Sequence, residues 1–178
     1  MEDQGKESLR GKLLIAAPSL FDFFRRTVVL MVEHGPDGAF GVVLNRDSET
    51  TVAEAVPSLA EVLGAEEKVR IGGPVGPESV VLLGQFADPS DSPKIVVGDL
   101  GVVDPGEEAE LRRARVYAGH SGWSPGQLES ELDREAWLVE PASPEDPFFE
   151  GDLWEAVLKR RGGEYALLAR MPEDPSLN

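Results

Sequence analysis

The stretch RRTVVLMVEHGPDGAFGVVLNR, from Arg25 to Arg46, decides the fold that this sequence predicts. Two apolar runs rich in β-branched residues stand on either side of Gly35, Pro36 and Asp37. Short connections that contain glycine commonly join neighbouring antiparallel strands. We therefore expect a β-hairpin in this part of the chain.

Further strands are predicted where short apolar runs end at Gly, Pro or Asp. These runs are KLLIAA (12–17), EKVRIGG (67–73), ESVVLLGQF (78–86), PKIVVG (93–98) and ARVYAG (114–119). With the hairpin they make at least seven strands. Several runs are continuously apolar instead of alternating, which is typical of strands that are covered on both faces.

Helix starts are predicted where a capping residue stands three positions before a glutamate. The pairs are Thr51 with Glu54, Ser58 with Glu61, Asp104 with Glu107, and Asp152 with Glu155. The clearest helix is expected from Leu153 to Arg161, with an apolar stripe that packs on the sheet. Strands, short helices and a helical C-terminal third together predict an α+β (mixed α/β) fold.

The 178 residues fit one domain, 1–178, with loose termini at about 1–8 and 173–178. The formal net charge of −16 is the wrong sign for binding nucleic-acid phosphates, so direct nucleic-acid binding is disfavoured. The absence of cysteine excludes disulfides and thiolate chemistry. The polar N-terminus resembles neither a signal peptide nor a membrane span, and we expect a cytoplasmic protein without membrane contact.

Five segments of the chain resemble the AlgH-like, or YqgE, family of bacterial proteins. They are APSLFD (17–22), VEHGPDGAFGVVLNR (32–46), IGGPV (71–75), GHSGWSPGQLESEL (119–132) and DLW (152–154), in the family's order. The resemblance covers nearly the whole chain and implies a mixed, strand-rich sheet, bifurcated and folded into a pseudo-barrel with flanking short helices. The founding member's name, a regulator of alginate production, implies an effect on expression and not a DNA contact. Asp47 stands where the family usually has proline, which alters only a local turn.

The segment YAGHSGWSPGQLESEL (117–132) holds the residues with most chemical potential. It can be interpreted as a ligand loop, as a nucleophile on a turn, or as a structural corner. The nucleophile-elbow pattern G-x-S-x-G fails, because Trp123 stands where the last glycine is needed. His120 and Ser121 are neighbours in sequence, so on an extended strand their side chains point to opposite faces. We therefore expect a structural role for Ser121.

A metal site is a second option. Glu33, His34, His120 and one of Asp22 or Asp99 would supply two histidines and carboxylates, but the histidines lack the i, i+4 spacing of a helical zinc motif. We expect His34 to bond turn backbone instead, and no metal or cofactor is predicted.

An anion site is a third option. Arg46 follows Asn45 at the end of a buried strand, and an arginine there can hold an anion or pair with a carboxylate. Gly72 and Gly73 permit either a sharp turn or the close approach of a ligand to the backbone. No phosphate-loop or dinucleotide spacing accompanies them.

The start of a helix after Trp123 is predicted from the capping residues. Ser124 as N-cap with Gln127 forms a capping box, and Trp123 with Leu128 forms a hydrophobic staple. Gly126 in the first turn costs about 1 kcal/mol relative to alanine. We therefore expect another segment or a ligand to approach Gly126 closely.

Two functions follow from these patterns. The first is a noncatalytic regulatory or interaction protein with an unidentified protein partner. The second is a protein or enzyme that binds a small anion in a pocket near Arg46, Gly73 and His120. The tentative ligand-binding residues of that pocket are Asn45, Arg46, Gly72, Gly73, Gly119, His120, Ser121 and Gly126. No catalytic residue is assigned.

Overall fold

A computed structural model of the protein describes residues 8–20 and 22–170, and of Val62 only the backbone. Among these residues lie ten strands: β1 Lys12–Ala16, β2 Val28–Gly35, β3 Gly38–Val43, β4 Asp47–Thr51, β5 Lys68–Ile71, β6 Val75–Phe86, β7 Lys94–Val97, β8 Leu100–Val102, β9 Leu111–Trp123 and β10 Trp137–Pro141. The α-helices are α1 Val52–Ala55, α2 Ala60–Leu63, α3 Gln127–Asp133, α4 Leu153–Arg161 and α5 Glu164–Leu168. The predicted loose termini lie outside the described residues except for Ser8.

The predicted hairpin is confirmed as β2 and β3, which pair antiparallel with Gly35 opposite Gly38. It lies in a sheet with the strand order β10-β1-β2-β3-β9-β6-β8-β7. Strands β4 and β5 form a side branch from β9. The fold is therefore strand-rich α+β, as the sequence predicts.

Strand β9 is the point at which the sheet divides. Along one edge it pairs with β6. Along the other edge it first pairs in parallel with β5, Ile71 opposite Ala118, and then antiparallel with β3, Gly41 opposite Ser121. Two strands thus share one edge of β9 in succession, and the changeover falls between Ala118 and Ser121.

Three apolar clusters cover the faces of the sheet. The first includes Leu13, Leu30, Val42, Leu83, Leu100, Tyr117 and four residues of α4. The second includes Leu14, Val29, Met31, Val43, Trp123, Leu128 and Trp137. The third includes Val52, Val69, Leu82, Phe86, Val103 and Val116. Neighbouring residues of β1 alternate between the first and second clusters, which explains why its sequence is continuously apolar from Leu13 to Ala16. In β9, Val116 and Tyr117 likewise belong to different clusters.

The sheet curves around the first cluster without closing. Residues from β1, β2, β7 and β8 all enter that cluster, although β7 and β10 are opposite ends of the strand order. A Cβ on Gly11, next to β1, would lie 2.8 Å from the carbonyl oxygen of Val96 in β7. Lys94 of β7 also forms an ion pair with Glu33 of β2. The implied pseudo-barrel is thus an open sheet, in the described residues, in which β7 at one end of the order contacts β2 and the residue before β1.

Two of the four predicted caps start helices. The hydroxyl of Thr51 accepts from the backbone N–H of Glu54, at the start of α1, and Asp152 accepts from that of Glu155, at the start of α4. Helix α4 packs on the sheet as expected, and the indole of Trp154 donates to the carbonyl oxygen of Ala16 at 2.9 Å.

The other two predicted caps are wrong. Pro57 begins a 3-10 turn, and α2 starts only at Ala60, so Ser58 lies before the helix. The carboxylate of Asp104 accepts from the backbone N–H of Gly106, two residues on, and no helix follows directly in this part of the described chain. Short polar side chains that bond two residues ahead stabilise a turn in place of a helix.

The ten strands satisfy the predicted minimum of seven. Strands β4, β8 and β10 were not predicted, and β10 shows that the C-terminal third is not purely helical. Strand β9 runs on to Trp123, so the sequence GHSG (119–122) is strand and not a loop or turn. Its glycines suggested a turn, although Gly119 instead permits the close packing of β9 against the chain that follows β5.

Candidate functional site

Five of the predicted site residues meet where β9 changes its partner from β5 to β3. They are Gly72, Gly73, Gly119, His120 and Ser121. The backbone N–H of Gly72 donates to the carbonyl oxygen of Ala118 at 2.8 Å. A Cβ on Gly73 would lie 2.1 Å from the backbone of His120, and one on Gly119 would lie 2.5 Å from the carbonyl oxygen of Gly73. These glycines therefore let two stretches of backbone cross in direct contact. The space that a ligand would need at Gly73 is filled by the protein itself.

Ser121 has the structural role that the sequence predicts. Its side chain is fully buried, and its hydroxyl donates to the carbonyl oxygen of Gly72 at 3.1 Å. That carbonyl also accepts from the backbone N–H of Val43. The hydroxyl of Ser121 thus helps to join β3 to the end of β5, at the division of the sheet.

His120 lies on the opposite side of β9 from Ser121. Its half-buried ring packs against the ring of Phe40, with 4.7 Å between centroids. The two side chains point away from each other, as alternation on a strand requires.

His34 bonds with both ring nitrogens. Its Nδ1 accepts from the backbone N–H of Leu9 at 3.0 Å, and its Nε2 lies 2.8 Å from a carboxylate oxygen of Glu129. An Nδ1 that accepts carries no proton, so the proton is on Nε2 and is donated to Glu129. The expectation that His34 bonds the turn is wrong, because its Nδ1 bonds the N-terminal segment. No group of three or more potential metal ligands occurs within 8–20 and 22–170.

Asn45 and Arg46 fasten the loop that precedes β2. The amide of Asn45 accepts from the backbone N–H of Val28 and donates to the carbonyl oxygen of Arg26, both at 2.9 Å. The guanidinium of Arg46 donates to the carbonyl oxygens of Phe23 and Arg25 at 2.9 and 2.6 Å. Neither side chain joins His120, although the carbonyl of Arg46 accepts from Ile71 beside Gly72.

Gly126 is explained by a turn and not by a close approach. Its φ of 80° and ψ of −11°, with Pro125 before it, match the third position of a type II turn. The turn is closed by a 2.9 Å bond from Gln127 N–H to the carbonyl oxygen of Ser124. A Cβ on Gly126 would meet nothing within 4 Å. No other segment of the described chain approaches Gly126 closely, so that part of the prediction is wrong.

The predicted capping box at Ser124 forms only in part. The side chain of Gln127 accepts from the backbone N–H of Ser124 at 3.0 Å. Helix α3 nevertheless begins at Gln127, later than the box requires, because the type II turn intervenes. Trp123 and Leu128 both enter the second cluster, as the staple predicts.

A cleft of about 360 Å³ lies beside this turn. We call it the tryptophan cleft, and it is lined by Ser19, Leu20, Asp22, Phe24, Gly122, Trp123, Gln127, Glu131, Arg134, Ala136 and Trp137. Residues from two of the five family-like segments, 17–22 and 119–132, thus form its walls. The rings of Phe24, Trp123 and Trp137 lie 5.6 to 6.4 Å apart between centroids.

The carboxylate of Glu131 fixes the two indoles of the tryptophan cleft. One of its oxygens accepts from the indole N–H groups of Trp123 and Trp137, each at 2.9 Å. Its other oxygen accepts from the amide of Gln127 at 3.1 Å. These bonds join α3 to the ends of β9 and β10, so they position the walls of the cleft.

A second cleft of about 220 Å³ lies over the third cluster. We call it the leucine cleft, and it is lined by Leu59, Leu63, Leu82, Val103, Asp104, Pro105, Glu107, Glu108, Ala109 and Leu111. Its floor is apolar, and its acidic residues are exposed. None of the described ion pairs involves Asp104, Glu107 or Glu108.

The three arginines of the run RRAR (112–115) have partners within the protein. Arg112 bonds Asp99 at 3.0 Å, and Arg113 donates to Gln85 and lies over the ring of Phe148. Arg115 lies near Glu67 and Glu150. These cations therefore do not form a basic patch.

Among the described residues, the helices are all too short or too polar to cross a bilayer.

Tyr117 is a buried polar group of the first cluster. Its side chain is fully buried, and within the described residues its hydroxyl has no hydrogen-bond partner. Burial raises the pKa of this phenol above its ordinary value, because the anion would lose its hydration. The neutral phenol is therefore the form that the fold accommodates.

The sequence did not reveal the residues that line the two clefts. Trp137 and Phe24 are far from the glycine-rich segment, and only folding brings them to Trp123. The Glu131 side chain faces the cleft at a helical position that resembles an ordinary surface glutamate. The i, i+4 spacing of Leu59 and Leu63 was a visible signal of an apolar helical face.

Comparisons with known proteins agree with this fold. A family model described as AlgH-like matches residues 13–166. A UPF0301 protein of Streptomyces coelicolor is 40% identical over an alignment of 186 positions that covers 96% of each chain. A UPF0301 protein of Mycolicibacterium smegmatis is 40% identical over an alignment of 181 positions that covers 94% of this chain and 90% of the relative.

Two solved structures are similar over nearly their whole length. The crystal structure of a Corynebacterium diphtheriae protein has a TM-score of 0.84 and 31% identity, and the match covers 95% of this chain and 94% of that one. The solution structure of the AlgH protein from Pseudomonas aeruginosa has a TM-score of 0.72 and 27% identity, and the match covers 97% of this chain and 98% of that one.

Proposed function

The chain belongs to the AlgH-like family, and on that premise we propose that it is a noncatalytic regulatory protein of the cytoplasm that binds a partner protein through the leucine cleft. The observation that carries this proposal is an apolar cleft whose rim bears carboxylates outside the described ion pairs. The partner segment would have one large apolar side chain flanked by lysine or arginine.

The size of the leucine cleft favours a side chain over a small molecule. Pockets for small ligands commonly have volumes of about 300 to 1,000 Å³, whereas this cleft has about 220 Å³. Protein interfaces are often anchored by one apolar side chain that fills a small pocket. The half-buried Leu59 and Leu63 would gain contacts from such an anchor.

The charge of the protein favours a basic partner. The net charge of −16 attracts cations over a long range, and Asp104, Glu107 and Glu108 concentrate negative charge at the cleft. Complementary charge of this kind mainly increases the rate and the specificity of association. The same surface would repel nucleic acid.

The anion-pocket alternative has less support. The guanidinium of Arg46 donates to two backbone carbonyls, and the backbone of His120 fills the space beside Gly73. An anion would have to displace contacts that hold the sheet together.

Affinity capture with matched variants tests the proposal. Leu63→Arg blocks the cleft, and the double change Glu107→Lys with Glu108→Lys reverses the charge of its rim. Leu167→Arg and Glu164→Lys are the controls, because both positions are exposed on α5. We expect a protein that the wild type and both controls capture, and that both cleft variants lose. Capture of the same proteins by all variants would overturn the proposal, as would repeated capture of none.

A further inference from the structure

The tryptophan cleft has the composition of a site for a small organic cation, and we propose that it binds an alkylammonium compound. This inference is independent of the proposed function, since the tryptophan cleft and the leucine cleft share no lining residue. It rests on the cleft's volume, its apolar walls and the charge of its carboxylates.

The volume suits a small ligand. At about 360 Å³ the cleft falls within the common range for small-molecule pockets of about 300 to 1,000 Å³. The half-buried Leu20 and Phe24 supply apolar surface for alkyl groups, and the buried Trp123 and Trp137 also line the cleft. Alkylated ammonium groups are attracted to the faces of aromatic rings, and Phe24 is the half-buried aromatic ring of this lining.

The carboxylate of Glu131 supplies negative charge at a fixed position. It accepts hydrogen bonds from two indoles and one amide, all of them neutral donors, so its charge is not cancelled by these partners. An ionised carboxylate has about four acceptor positions, and the three bonds leave one. A ligand ammonium can therefore approach Glu131 without displacing a bond that holds the cleft together.

Asp22 adds a second carboxylate to the lining. One of its oxygens accepts from the backbone N–H of Phe24 at 2.9 Å, and its side chain is exposed. Arg134 is the one cation among the described lining residues, and its Nε lies 3.4 Å from the carbonyl oxygen of Ser130 on its own helix. The described lining thus carries two negative charges and one positive charge, which suits a ligand with a single ammonium group.

A comparison of the affinities for choline and for its neutral isostere, 3,3-dimethyl-1-butanol, separates the effect of the ligand's charge from that of its shape. Isothermal titration calorimetry at constant ionic strength gives the affinities, and tryptophan fluorescence reports on Trp123 and Trp137. We expect choline to bind at least about tenfold more tightly than the alcohol, because only choline has a positive charge that the carboxylates and the ring of Phe24 attract. We also expect tetramethylammonium to bind more tightly than ammonium, because only the former has alkyl groups for the walls.

Charge variants locate the binding. Glu131→Gln keeps an oxygen that accepts from the indoles, and Asp22→Asn keeps one that accepts from Phe24. Each is expected to weaken choline binding at least about fivefold, since each removes a unit of negative charge from the lining. The control is Glu129→Gln on the same helix, whose carboxylate bonds His34 outside the cleft and which should change the affinity less than about twofold. Equal affinity for choline and the alcohol, equal effects of Glu131→Gln and Glu129→Gln, or no binding by either quaternary ammonium probe would each overturn the proposal.

Discussion

Gly73 lies against His120 so closely that a single methyl group on Gly73 would come within 2.1 Å of the backbone carbonyl of His120. The obstacle is main chain, which cannot rotate away as a side chain can. We predict that Gly73→Ala destabilises the protein by roughly 3 kcal/mol or more, because crowding a packed core commonly costs about 1 to 3 kcal/mol even where side chains can shift.

The matched control for that change is Gly122→Ala, on the same strand as Gly119. A Cβ there meets nothing within 4 Å, so the free energy of unfolding should change by less than about 0.5 kcal/mol. Urea unfolding monitored by circular dichroism measures both. Equal stability of the two variants would show that the backbones at Gly73 and His120 are not in direct contact.

Ser121 should behave as a structural hydroxyl. We predict that Ser121→Ala lowers the free energy of unfolding by about 1 kcal/mol, the usual net value of one hydrogen bond, since the carbonyl of Gly72 keeps its bond from Val43. The folded wild type should not react with a fluorophosphonate probe, because the hydroxyl is fully buried. Mass spectrometry of the treated protein checks this, and modification at Ser121 would contradict the structure.

Removing the side-chain hydroxyl of Tyr117 should stabilise the folded protein. Its buried hydroxyl lacks a partner in the described part of the chain, and such a group costs about 1 to 3 kcal/mol. We predict that Tyr117→Phe raises the free energy of unfolding by about 1 kcal/mol at about pH 7. A loss of stability would instead reveal an unrecognised bond. Tyr165→Phe, at the other tyrosine, serves as the control.

The same tyrosine should contribute to instability in alkali. Burial raises the pKa of Tyr117 in the folded protein, while the unfolded chain has a value of about 10. Above that pH the unfolded state loses a proton that the folded state keeps, so stability falls as pH rises further. Urea unfolding at about pH 9 and about pH 11 should show a smaller decrease for Tyr117→Phe than for the wild type. An identical decrease in both would remove Tyr117 as a cause.

The helix caps offer a direct comparison of a correct and an incorrect prediction. Asp152 accepts from the N–H of Glu155 at the start of α4, and Asp152→Ala should cost about 1 kcal/mol. Ser58 precedes α2 in a 3-10 turn without a side-chain cap bond, and Ser58→Ala should cost less than about 0.5 kcal/mol. Thermal unfolding followed by circular dichroism distinguishes the two, and comparable losses would be inconsistent with the observed helix starts.

Local patterns predicted the elements that depend on neighbouring residues. The β2–β3 hairpin and helix α4 carry their turn and cap residues within a few positions, so the sequence was sufficient for both. The sequence Ser124-Pro125-Gly126 favours a type II turn as well as a helix start, and local patterning did not distinguish them.

The features that could not be predicted from the sequence depend on packing between residues that are distant along the chain. Gly119 looked like a turn residue because nothing nearby in sequence shows that the chain after β5 crosses β9 there. The clefts were missed for the same reason, since Glu131 bonds two tryptophans from different strands. Arg46 was expected at the end of the buried strand, but β3 ends at Val43. The partners of its guanidinium are carbonyl oxygens more than twenty residues earlier.

The shared edge of β9 also protects the protein against misalignment of its strands. A shift of β9 by one residue would exchange Tyr117 and Val116 between the first and third clusters, as any slip of a two-faced strand does. It would also bring Ala118 or His120 to the position of Gly119, where a Cβ lies only 2.5 Å from the carbonyl oxygen of Gly73. Shifting β9 by one residue in either direction along β3, β5 and β6 is therefore sterically forbidden, because only a glycine fits against Gly73. The correct alignment of β9 is thus selected at this single crossing.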